Sequence, residues 1–188
     1  MGGSTTASGA VSTALGSGTT ASGIISTAMG SNTTASGTIS TAMGGGTTAS
    51  GDFSTAMGFQ TTASGLVSTA MGYQTDASGT SSVALGGSTT ASGDRSTAMG
   101  YNSTASGDTA FAIGESARAS GSHSAVIGER AIASGINSIA FGREVRAGSG
   151  TPADGNGDGS VAFGLIDDAV TITTDPMVTG IQSMGIFM

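Results

Sequence analysis

Glycine stands at positions 9, 23, 37, 51, 65, 79, 93, 107, 121 and 135, and again at 16, 30, 44, 58, 72, 86, 100, 114, 128 and 142. The chain therefore repeats every fourteen residues, in two halves of seven. Two positions before each of these glycines stands alanine, from Ala7 and Ala14 to Ala140, with Val126 the one exception. Met1 and Gly2 fall in register with Met29 and Gly30, as a segment of a longer array would.

A seven-residue period suits a coiled coil only when apolar a and d positions sit in a helix-favouring background. Here every seven contains a glycine, which costs a helix about 1 kcal/mol relative to alanine, and serine and threonine fill the rest. Collagen needs glycine at every third position, and that pattern is absent. The remaining architecture is all-β: a solenoid whose fourteen-residue turn holds two short strands, each ended by a glycine turn.

Strand alternation then divides each half. Ser40 and Ala42 share one face and Thr41 and Met43 the other, while Thr33 and Ala35 oppose Thr34 and Ser36. A coil this tight has room only for small side chains, so alanine and its Ser or Thr companion are expected inside. The slot after alanine then points outward. In one strand of each turn it is apolar: Leu15, Met29, Met43, Met57, Met71, Leu85, Met99, Ile113, Ile127 and Phe141. The stripe thickens where Phe111 joins Ile113 and Ile139 joins Phe141. Covering each such side chain is worth about 1.5 to 3 kcal/mol as an upper figure. Self-association is the expected outcome, with parallel copies setting their stripes on a common axis.

The other strand carries serine in that slot, and its outward positions form hydroxyl rows: Thr6, Ser8, Thr20, Ser22, Thr34, Ser36, Thr48, Ser50, Thr62 and Ser64, with Thr90 and Thr104 further on. Asp76, Arg118 and Ile132 interrupt the threonine row. Such a regular array is a candidate outer binding face for glycan or ice. Threonine and serine also serve simply as soluble, strand-compatible residues repeated by duplication.

Composition narrows the function. A net charge of -7, with five arginines and no lysine, argues against a nucleic-acid partner. There is no cysteine, hence no disulfide or thiolate metal site. The chain opens with no basic and apolar signal segment and holds no apolar run long enough to span a bilayer. No nucleophile-base pair, carboxylate dyad or phosphate loop stands out, so an enzyme is not expected, and no cofactor is implied.

The half-turns "SVALG" from Ser82, "NSIAFG" from Asn137, "HSAVIG" from His123 and "GSVAFG" from Gly159 resemble the YadA-like head repeats of trimeric autotransporter adhesins, whose half-turn reads roughly Asn-Ser-Val-Ala-Ile-Gly. The resemblance spans about residues 1 to 164. It implies a left-handed parallel β-roll, a parallel homotrimer, and an adhesive head at a cell surface. By position the trimer interface would include Leu15, Met29, Met43, Met57, Met71, Leu85, Met99, Phe111, Ile113, Ile127, Ile139, Phe141, Val161 and Phe163. The expected function is a structural and adhesive module of an extracellular fibre attaching to host or matrix surfaces. The alternatives are a receptor-binding fibre of a phage or contractile injection system, and ice binding through the Thr/Ser face.

By organisation, residues 1–147 hold the regular repeats, 148–159 a Gly/Asp-rich insertion, and 160–188 a last roll-like strand followed by an extension or cap. Within the insertion, Asp154, Asn156 and Asp158 alternate as in the first half of a calcium loop, but Leu165 stands where the closing glutamate belongs. A surface insertion is the simpler reading. His123, the one histidine, falls in a turn slot. Asp52, Asp94, Arg95, Glu115, Glu129, Arg130, Arg143 and Glu144 read as solvated edges or inter-chain pairs. In the extension, "SMG" at Ser183 to Gly185 echoes the earlier half-turn.

Overall fold

The computed structural model describes residues 3–148, 159–164, 177–178 and 184–187, the last two segments by their strand pairing alone. Asp154, Asn156 and Asp158 lie outside the described residues, as does most of the 148–159 insertion. Two units, Met1–Arg95 and Ser96–Met188, follow one plan, a parallel β-solenoid of fourteen-residue turns.

In the first unit each turn holds a two-residue strand such as Thr34–Ala35 and a five-residue strand such as Thr41–Gly45. Short strands pair in parallel with short, and long with long, always one repeat on. Ala35 lies beside Ala49, and Met43 beside Met57. Amides at the start of each strand reach forward to the next turn, Thr27 N–H donating to the Ser40 carbonyl at 2.9 Å and Thr34 N–H to that of Thr47 at 2.8 Å. The bond network is thus as periodic as the sequence.

The bore is lined as parity requires. Ala35, Ala42, Ala49 and Ala56 are fully buried, and so are Thr33, Ser40, Thr47 and Ser54. A stack of methyl and hydroxyl groups fills the space between two chain segments joined by very short turns. The hydroxyls of Thr33, Ser40, Thr47 and Ser54 have no hydrogen-bond partner among the described residues, whereas Ser138 donates to the Gly135 carbonyl at 2.6 Å.

The corners explain the glycines. A Cβ on Gly37 would collide with the carbonyl oxygen of Gly51, and one on Gly30 with that of Gly44; Gly30 also holds a φ of +125° that an L side chain rarely adopts. Beyond each glycine lies a feature the repeat alone does not announce. Val11, Ile25, Ile39, Phe53 and Val67 all sit in the left-handed region, with φ between 55° and 59°. That conformation is costly for β-branched residues. At every one of these corners but Val11 an axial bond accompanies it, as where the Ile39 amide donates to the Ile24 carbonyl at 2.7 Å and the Phe53 amide to the Thr38 carbonyl at 2.8 Å.

The second unit repeats the plan with a change of core. In the bore file occupied by Thr33, Thr47 and Thr61 in the first unit, the second carries Ser103, Ala117, Ala131 and Val145. Two of these alanines bracket Val126, the bulkier residue in the alanine file, so volume gained in one file is surrendered in the other. Ile139–Gly142 pairs with Val161–Gly164, twenty-two residues on instead of fourteen, so the solenoid register resumes after the insertion. The "SMG" echo is corrected here. Met184 pairs with Val161 and Ile186 with Phe163, so Gly185 takes the alanine position and Ile186 the apolar slot.

Candidate interaction surfaces

Four outward files leave the bore, three fixed by strand alternation and one by the corner conformation. The first is the apolar stripe of the long strands. Leu15, Met29 and Met71 are exposed and Met43, Met57 and Leu85 half-buried in the first unit. In the second, Met99 and Ile113 are half-buried, and Phe111, Ile127, Ile139, Phe141 and Phe163 are 37 to 45% exposed, with Val161 half-buried. The Phe141 and Phe163 rings meet at 6.1 Å between centroids. In each unit, an apolar file left this accessible among the described residues is the kind of surface that drives association.

The second file is the hydroxyl face. Thr20, Thr34, Thr48 and Thr62 stack in register as half-buried residues, with Ser22, Ser36, Ser50 and Ser64 exposed beside them; Thr6 and Ser8 are exposed. Asp76 takes the threonine position between Thr62 and Thr90. Its Oδ1 is buried without a partner among the described residues, and burial raises its pKa above the ordinary 3.8.

The third file is the corner after the short strand. Val11, Ile25, Ile39, Phe53 and Val67 follow one another there, each exposed. His123 occupies the same left-handed corner in the second unit and is exposed. Acidic corner residues act locally. Asp52 Oδ1 accepts the Thr38 amide at 2.7 Å and Asp94 Oδ1 the Thr80 amide at 2.9 Å, each closing the preceding turn. At other corners the charged residues pair within the chain: Arg130 meets Glu129 and Glu144, each at 3.0 Å. Arg143 approaches Glu129 at 3.5 Å. Among the described residues no group of acids, histidines or cysteines is arranged to hold a metal ion.

The fourth file closes the long strands and was missed by the sequence reading. Phe59 and Tyr73 stack with centroids 5.7 Å apart and planes within 9°. Beside them the Gln74 amide donates to Gln60 Oε1 at 3.0 Å. The signal available in the sequence was the recurrence of an aromatic-glutamine pair one repeat apart, "FQ" at Phe59 and "YQ" at Tyr73.

A family model described as the YadA head domain repeat (2 copies) matches this chain in overlapping windows at 7–33, 21–47, 35–61, 49–75, 63–89, 77–103, 91–117, 105–128 and 119–144. No curated protein matches it.

Proposed function

This chain belongs to the YadA head domain repeat family, and from that premise we propose that three parallel copies pack side by side as the adhesive segment of a surface fibre. The observation that carries the proposal is the outward apolar stripe on a solenoid whose own bore is already filled by alanine, serine and threonine. Among the described residues, the long strands therefore carry an apolar face that is exposed or only half-covered. Parallel packing around a shared axis covers every turn at once and leaves the hydroxyl face outward, where many weak contacts to a host or matrix surface can act together.

Light scattering on the purified chain tests the assembly. A mass three times 17.8 kDa is the expected result, and a stable monomer at micromolar concentration overturns it. The in-register hydroxyl file of Thr20, Thr34, Thr48 and Thr62 supports a second reading, ice binding. Measurable thermal hysteresis is its expected signature, and none at micromolar protein removes it.

A further inference from the structure

Within the first unit, the stacked pair at the end of the long strands is covered unequally on its two sides. Phe59 leans over Gly45, whose absent side chain makes the room: a Cβ there would stand 3.1 Å from the ring. Tyr73 stacks on Phe59, and on its far side its strand partner is Gly87, which has no side chain to cover it. Tyr73 is 52% exposed. Within the first unit, the file to which these residues belong reads Ser17, Ser31, Gly45, Phe59, Tyr73, Gly87. The next file reads Gly18, Asn32, Gly46, Gln60, Gln74, Ser88. Neither holds a charge, and Gln74, with one N–H given to Gln60, keeps another N–H and its carbonyl oxygen for a ligand.

We propose that the Tyr73 ring face above Gly87 is a stacking subsite for a neutral pyranose, with Gln74 and Ser88 hydrogen-bonding its hydroxyls. A pyranose with equatorial substituents presents a flat C–H face to an aromatic ring and hydroxyls at its rim, a match for a platform whose edge is amide and hydroxyl. The absence of charge in both files selects against phosphate, sulfate and carboxylate ligands. Phe59 holds the Tyr73 ring in place, and the Gln60–Gln74 bond aims the amide. The inference rests on the adhesive reading above and names a chemical class of partner for it.

The test uses the whole chain carrying Tyr101→Phe, which leaves Tyr73 as the sole source of tyrosine emission because the chain has two tyrosines and no tryptophan. Titration with cellotetraose and with chitotetraose is expected to give a saturable change in emission. Gly87→Val, which sets a side chain beside the Tyr73 ring, should weaken binding at least about tenfold, the loss expected when a stacking contact goes. Tyr73→Leu should lose the ligand signal in saturation-transfer NMR, with circular dichroism and oligomeric mass unchanged. The proposal is overturned by no saturable change with either sugar, or by undiminished binding in folded Gly87→Val or Tyr73→Leu protein. A fall in oligomeric mass caused by Tyr73→Leu also overturns it, because a sister chain then covers the ring. A monomeric parent protein sinks the trimeric fibre instead, and leaves the sugar titration interpretable on its own.

Discussion

Ile39 holds a left-handed φ of 55° that costs an L residue roughly 1 to 2 kcal/mol. Asparagine tolerates the same conformation with less strain, and position 39 lies on the surface. Ile39→Asn should therefore raise the melting temperature; a fall shows that the exposed isoleucine is covered by a partner whose loss outweighs the relief. Gly37 is the opposite case. Gly37→Ala drives a methyl into the Gly51 carbonyl, and because the same bond pattern locks both turns it should cost at least about 1 to 3 kcal/mol, read by thermal melting. Inside the bore, Thr47 carries a buried hydroxyl with no partner among the described residues, and the equivalent slot in the second unit already holds Val145, equally buried. Thr47→Val keeps the shape and removes an undischarged polar group, so stability should hold or rise. A clear loss would mean that the hydroxyl is satisfied in solution.

At the scale of the strand, the two outward files behave differently because their chemistry differs. The long-strand stripe gains by leaving water; the short-strand file is polar and interrupted once in the first unit, at Asp76. Burial raises the Asp76 pKa in the folded chain, so its neutral form is favoured by folding. The stabilising difference is complete below the unfolded value near 3.8 and is lost as pH rises through the raised folded value. Asp76→Asn should remove that dependence. Melting of both proteins at pH 3.5 and pH 7 checks it: the asparagine variant should gain on the parent only at the higher pH, and an equal gap at both values contradicts the assignment. The strands themselves were legible in the sequence because parity needs only the spacing of Ala42 and Met43. Corner conformation was not. Val11, Phe53 and Arg95 differ so much that no residue preference marks the left-handed site; an axial amide bond to the preceding turn accompanies it at Phe53 and Arg95, while Val11 adopts it with none among the described residues. The Phe59–Tyr73 platform escaped for another reason: the fourteen-residue register sets the two residues side by side, but whether their rings stack is decided by side-chain packing beside Gly45.

For the molecule as a whole, the repeat makes a statement about length that ordinary domains do not allow. Each turn of the first unit bonds to the turn before and the turn after, fourteen residues away, through two parallel ladders. Stability in such an array is a sum of turns and of interfaces between neighbours, with no long-range closure to satisfy. Deleting residues 37–50 removes one turn and joins Ser36 to Gly51, which restores the "TASG" half-turn and brings Met29 beside Met57. The product should remain folded, keep its β circular dichroism per residue, and assemble with the same stoichiometry. Deleting residues 37–43 removes only seven and joins Ser36 to Gly44, so that a short strand meets a long one in register and serine is forced into the file of methionines. That chain breaks the apolar stripe and both ladders at one point. It should melt lower than the fourteen-residue deletion and lose assembly mass, although it retains more of the parent sequence. Equal stability of the two deletions would show that the half-turns are interchangeable, and that the division of the coil into an associating face and a solvent face is not what holds it together.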